Sequence, residues 1–159
     1  MNTRTANSYT TTFGYVAGGH GTKSTTPLVS SITQPGMNFT YTYDSRGNIT
    51  SETRNGLTTT YEYDALGQLV RVNDPHENAT WVYEYDLGGN ILRKRKYAYT
   101  TDVPGEALET IPYVYGDANW KDKLTSYNGA TITYDAIGIP LDDWGGIMHA
   151  MAAQNVHAR

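Results

Sequence analysis

No cysteine occurs in this chain of 159 residues, which excludes a disulfide framework, a thiolate nucleophile and any metal site built on sulfur. The same absence fixes no cellular compartment. Phenylalanine is nearly missing, with 2 residues, and no apolar run approaches the length a membrane-spanning helix needs. The opening segment, Met1 to Thr12, is polar and has no apolar h-region, so no signal peptide is expected. Charge of either sign is sparse: 12 basic against 16 acidic residues, a formal −4, gives no global field toward nucleic acid or anionic lipid. Nucleic acid and membrane are therefore not expected partners. The glycines from Gly14 to Gly21 lack the Lys-Ser/Thr ending of a phosphate loop, and neither a nucleophile elbow nor a kinase signature is present.

What the chain does have is tyrosine, 14 residues of it, with 16 glycines and runs of threonine such as Thr10–Thr12 and Thr58–Thr60. Tyrosine and threonine suit pleated, half-buried surfaces, and the composition leans all-β. The tyrosines recur in a phrase. Tyr41-Thr-Tyr43-Asp44-Ser-Arg-Gly47-Asn48-Ile49 returns as Tyr61-Glu-Tyr63-Asp64-Ala-Leu-Gly67-Gln68-Leu69 and as Tyr83-Glu-Tyr85-Asp86-Leu-Gly-Gly89-Asn90-Ile91. A shortened copy reads Thr133-Tyr134-Asp135-Ala-Ile-Gly138-Ile139-Pro140-Leu141, while Tyr97-Ala-Tyr99 and Tyr113-Val-Tyr115 keep the tyrosine pair without the aspartate phrase.

The phrase has a physical sense. Tyrosines two apart on a strand project from one face, so stacked copies predict aromatic cross-strand contacts. The aspartate caps a turn, the glycine supplies a positive φ, and the following Ile or Leu opens the return strand. Asn55-Gly56 and Asn128-Gly129 predict two-residue hairpin turns. Asp74 to Asn78 predicts a longer loop, and Thr100 to Glu109 the loosest connection. About ten short strands in a meander result.

The Y-x-Y-D-x-x-G-N/Q-I/L phrase resembles the YD repeat of Rhs and teneurin-type proteins, over about residues 37–141, with 1–36 matched only weakly through Phe13-Gly-Tyr15. The resemblance implies an all-β antiparallel meander or spiral of YD-repeat hairpins and a structural role, with no catalytic residues to carry over. In such families, typically bacterial and secreted or at the cell surface, many repeats form a hollow β-shell around a toxin or other cargo. The few repeats here are too few to enclose a comparable cargo.

The pattern stops after Leu141, so the chain divides into a YD-repeat β domain (1–141) and a C-terminal tail (142–159) foreign to it. The tail reads as a short helix: Asp142 or Asp143 can cap it, and Met148, Ala152 and Val156 share a stripe beside Ile147 and Met151. A β-array also exposes strand edges with unpaired backbone groups. A homodimer or larger homo-oligomer, formed through strand edges and the tail helix, is therefore expected.

The four histidines carry the competing reading. His20, His76, His149 and His157, with Asp142 and Asp143 as carboxylate options, are the candidate ligands for Zn²⁺ or another divalent metal. Such a site would activate water against an activated phosphoester or ester, as a metal-dependent hydrolase of phosphotriesterase or phosphodiesterase type. His149 and His157 would stand about 12 Å apart on a helix, too far to share one ion, and no HExxH spacing exists. Solvated loop and tail histidines are the plainer account, and no cofactor is required. Trp81, Trp120 and Trp144 offer a carbohydrate-stacking alternative, against which packing is the simpler use of aromatic pairs. The run Arg93-Lys94-Arg95-Lys96 alternates faces on a strand and reads as a solvated edge.

Overall fold

A computed structural model describes residues 2–6, 9–19 and 24–141. The tail helix expected over 142–159 lies outside the described residues. Those residues are all-β, with strands β1 (Asn2–Ala6), β2 (Tyr9–Ala17), β3 (Thr25–Gln34), β4 (Met37–Tyr43), β5 (Ile49–Arg54), β6 (Leu57–Tyr63) and β7 (Leu69–Asp74). They continue through β8 (Ala79–Tyr85), β9 (Ile91–Ala98), β10 (Glu109–Val114), β11 (Ser126–Tyr127) and β12 (Ala130–Thr131). Each strand pairs with its neighbour in sequence, so the topology is an antiparallel meander.

Two kinds of turn recur. The short kind joins Arg54↔Leu57 and Tyr127↔Ala130. Both central residues there have positive φ, 49° and 86° at Asn55-Gly56 and 48° and 80° at Asn128-Gly129. That is the type I′ geometry whose twist matches the strands. The second kind is the YD phrase. Thr42 pairs with Ser51 but Tyr43 with Ile49, and Glu62 pairs with Arg71 but Tyr63 with Leu69. Thr50 and Val70 are thus the extra residues of β-bulges, which bend each return strand and raise its local twist.

The chain divides into two compact units, residues 1–82 with 96–108 and residues 83–95 with 109–159. In the first, Val72, Ala79 and Trp81 are buried together with Thr59, Asn73, Asp74 and Thr80. More than half of these core residues are polar, and several are hydrogen-bonded to one another. Asn73 donates Nδ2–H to Thr60 Oγ1 at 2.9 Å and accepts from Arg71 Nε at 2.8 Å. Arg71 Nη2 donates to the carbonyls of Thr100 and Asp102, and the Thr80 hydroxyl donates to the same Thr100 carbonyl at 2.9 Å. The connection expected to be loosest is therefore pinned across the strands by an arginine and a buried threonine. In the second unit Ile111, Tyr127 and Ile132 are buried, and so is Lys94.

Lys94 corrects the sequence reading of the basic run. Strand β9 has neighbours on both sides and is no edge. Arg93 and Arg95 both reach Glu84, Arg93 at 3.1 Å. Lys94 points the other way, 1% exposed, with its ammonium 5.6 Å from the Tyr83 ring centre. The alternation of faces is as expected; the solvated setting is not.

Candidate functional site

The feature that recurs in the molecule is the aspartate turn, and it is built the same way each time. Asp44 Oδ1 accepts from the N–H of Arg46 at 2.9 Å and of Asn48 at 2.8 Å. Asp64 does so with Leu66 and Gln68, Asp86 with Gly88 and Asn90, and Asp135 with Ile137 and Ile139, all between 2.8 and 3.0 Å. The glycine of each phrase has φ between 82° and 90° and donates its N–H to the carbonyl of the aspartate. Asn48 and Asn90 add a side-chain bond to Oδ2, and this bond first of all, with the backbone donors, holds the Asp44 and Asp86 carboxyls below their ordinary range. These aspartates are turn caps in near-identical settings. A catalytic acid–base pair needs two unlike ones.

The tyrosines do something the aromatic-ladder expectation missed. Ring contacts do occur, at 6.4 Å between Phe39 and Tyr41 and at 5.1 Å between the cross-strand partners Tyr113 and Tyr127. The second tyrosine of a phrase, however, donates its hydroxyl to a backbone carbonyl of the preceding return strand or of the residues leading into it. Tyr43 reaches Val29 O at 2.6 Å, Tyr63 reaches Ile49 O at 2.9 Å and Tyr134 reaches Leu124 O at 2.6 Å. Each is a latch between successive hairpins.

A degenerate copy also escaped the sequence. After Tyr113-Val-Tyr115 the aspartate is displaced by one residue, to Asp117, where it accepts from the N–H groups of Trp120 and Asn119 and from Lys123 Nζ. The Trp120 and Asn119 amides, and then the lysine, push its carboxyl down to about 2. Reading the phrase with one residue inserted after the second tyrosine is the signal that finds it.

Between the first two aspartate turns lies an open polar groove of about 420 Å³, lined by Asp44, Arg46, Thr50, Tyr61, Glu62 and Asp64. Arg46 crosses it to donate to the Ala65 carbonyl at 2.7 Å, tying one turn to the next. Burial first, then the charges of Glu52 and Asp74, raise the Tyr61 phenol well above its ordinary value, so it stays protonated.

Of the expected metal ligands, His20, His149, His157, Asp142 and Asp143 lie outside the described residues. His76 sits in the β7–β8 loop, its N–H donated to Asp74 Oδ1 at 2.7 Å and its Nε2 buried without a hydrogen-bond partner. Among the described residues no group of three or more His, Cys, Asp or Glu is placed to hold a metal ion. The tryptophans divide: Trp81 is 5% exposed and donates Nε1–H to Glu77 at 3.0 Å, Trp120 is 54% exposed, and Trp144 is outside the described residues.

A meander of bulged hairpins locked by the same cap and the same latch is a β-repeat protein. Its residues 43–79 and 63–101 match the RHS Repeat family model, so that stretch of the chain carries Rhs-type repeats. Among solved structures it resembles the Tc holotoxin pore of Photorhabdus luminescens, with a TM-score of 0.55 and 17% identity over 83% of this chain and 8% of that one. It likewise resembles a crystal structure of TcdB2-TccC3-TEV, with a TM-score of 0.54 and 16% identity over 83% of this chain and 9% of that one. At such identity the likeness is one of fold, and this chain corresponds to under a tenth of the length of either. No curated protein matches the sequence.

Proposed function

We propose that this chain is a structural module, a stretch of β-wall of the kind that builds a bacterial Rhs-like shell, and that it associates with further copies of itself. The observation that supports the reading is the fourfold recurrence of one aspartate turn, each Oδ1 consumed by its own loop. What the phrase specifies is a hairpin and its lock to the hairpin before it. An open meander ends in strand edges whose backbone groups favour pairing with another chain. Size-exclusion chromatography with light scattering tests the self-association: a mass that is a multiple of 17.6 kDa is expected. A compact monomer at tens of micromolar would remove self-association from the proposal.

A further inference from the structure

The connection between β9 and β10 leaves the sheet and comes back to where it started. Leu108 donates its N–H to the Lys96 carbonyl at 2.8 Å, so the chain between them is a loop whose ends meet. Its outgoing leg is fastened. Arg71 Nη2 donates to the carbonyls of Thr100 and Asp102 at 2.8 and 2.7 Å, and the Thr100 N–H donates to Thr80 Oγ1 at 3.0 Å. The tip is not fastened. From Val103 to Ala107 no residue makes a hydrogen bond or ion pair among the described residues. Val103 is 91% exposed, and Gly105, Glu106 and Ala107 are exposed with it. A tip held at both ends and bare between them can enter an endoprotease cleft in extended form while the sheet stays closed.

The residues of the tip select the enzyme. No lysine or arginine lies between Lys96 and Lys121, so a protease specific for basic residues has no site in the loop. Pro104 guards the bond after Val103, because its ring removes the N–H and fixes φ. Of the positions left, Glu106 carries the charge that a glutamyl-specific cleft recognises. The other glutamates are held. Glu52, Glu62, Glu84 and Glu109 lie in strands, and Glu77 lies in the β7–β8 loop with its carboxylate on Trp81 Nε1.

We propose that Val103–Ala107 is a processing site for an endoprotease specific for glutamate, and that the cut chain remains folded. Water adds across the Glu106–Ala107 amide, leaving a new α-carboxylate on Glu106 and a new α-ammonium on Ala107. The two pieces keep hold of each other inside the unit formed by residues 83–95 and 109–159. Strand β10 stays hydrogen-bonded to β9, and Asn90 Nδ2 donates to Asp122 Oδ1 at 2.9 Å. Lys94 of one piece is buried in that unit, as are Ile111, Tyr127 and Ile132 of the other. Cleavage therefore breaks the continuity of the chain without parting its strands.

Limited digestion of the full chain with a glutamyl endopeptidase in native buffer, followed by intact mass spectrometry, tests both halves. Cleavage after Glu106 is expected roughly a hundredfold faster than after any other glutamate, because the others must first open a strand or a turn. The products 1–106 and 107–159 then elute together at the position of the uncut chain in size-exclusion chromatography, with the circular dichroism of the sheet retained. Glu106→Gln removes this cut, and Glu109→Gln leaves it in place. A first cut at another glutamate, or no cut under conditions that digest the denatured chain, overturns the processing site. Products that part in native buffer overturn the survival of the fold. The uncut chain is the reference throughout, so each outcome reads the same whether or not copies of the chain associate.

Discussion

Replacing Tyr63 by phenylalanine removes one oxygen atom and leaves the ring that fills the space beside it. The hydroxyl lost is the one donated to Ile49 O at 2.9 Å, in a part-buried setting. A hydrogen bond of this kind contributes about 0.5–1.5 kcal/mol net, because folding exchanges it for bonds to water, and an orphaned carbonyl moves the cost to the upper half of that range. About 1 kcal/mol is therefore expected, which for a chain of this size lowers Tm by about 2–4 °C. Urea unfolding followed by circular dichroism measures it, with the midpoint shifted and the m-value unchanged because the surface exposed on unfolding is the same. Tyr61→Phe is the internal control. Tyr61 belongs to the same phrase and is the more deeply buried of the two, yet its hydroxyl has no hydrogen bond among the described residues. If both substitutions shift the midpoint equally, the hydroxyl-to-carbonyl bond is not what locks one repeat to the next.

Val72→Ala, at a side chain 1% exposed, removes two buried methyl groups; it should cost about 2 kcal/mol by thermal or chemical denaturation. Gly47→Ala meets nothing nearer than the Leu28 side chain at 3.9 Å, so its cost, about 1–2 kcal/mol, comes from the φ of 89° alone, and the same midpoint measurement reads it. The carboxyls of Asp44, Asp86 and Asp117 are depressed in the folded state. Their contribution is thus complete above the ordinary carboxylate range and is lost as pH falls through the folded values, toward about 2 for Asp117. Asp117→Asn should accordingly lower Tm at neutral pH and converge on the wild type in strong acid, as read by melts across the acid range.

The hairpins were legible because their chemistry is local. Asn-Gly at 55–56 and 128–129 admits few alternatives to a turn with positive φ at both residues. Asp-x-x-Gly specifies an acceptor and a left-handed position three residues apart, and the structure uses both. What escaped the sequence depends on partners distant along the chain. Nothing near Thr100 announces that Arg71 and Thr80 will hold its carbonyl. The basic run looked solvent-exposed because four charges in a row suggest a surface; pairing on both sides of β9 and the Tyr83 ring made Lys94 a buried residue instead. Asp117 was hidden by a single inserted glycine, since a phrase read at constant spacing cannot see a slipped copy. Among the candidate metal ligands only His76 falls on described residues, and its place in the β7–β8 loop was visible in the sequence as a loop position.

The two devices of the phrase act on different neighbours, and this determines how the array holds together. The aspartate closes its own hairpin, so its loss is felt within a few residues. The tyrosine closes the joint to the hairpin before, on the carbonyl that the previous tyrosine's cross-strand partner supplies. Removing one latch therefore leaves an intact hairpin poorly fastened, whereas removing one cap disturbs the carbonyl on which the next latch is seated. Stability in such a chain is a sum of repeat terms and nearest-neighbour terms. Tyr63→Phe samples the second kind and Asp44→Ala both, because the turn that Asp44 caps leads directly into Ile49. Combining the two should yield less than the sum of their separate effects, since a displaced Ile49 carbonyl has already surrendered part of its bond to Tyr63. Strict additivity in a double-mutant cycle would mean that cap and latch are independent, and that the repeats are joined by strand pairing alone.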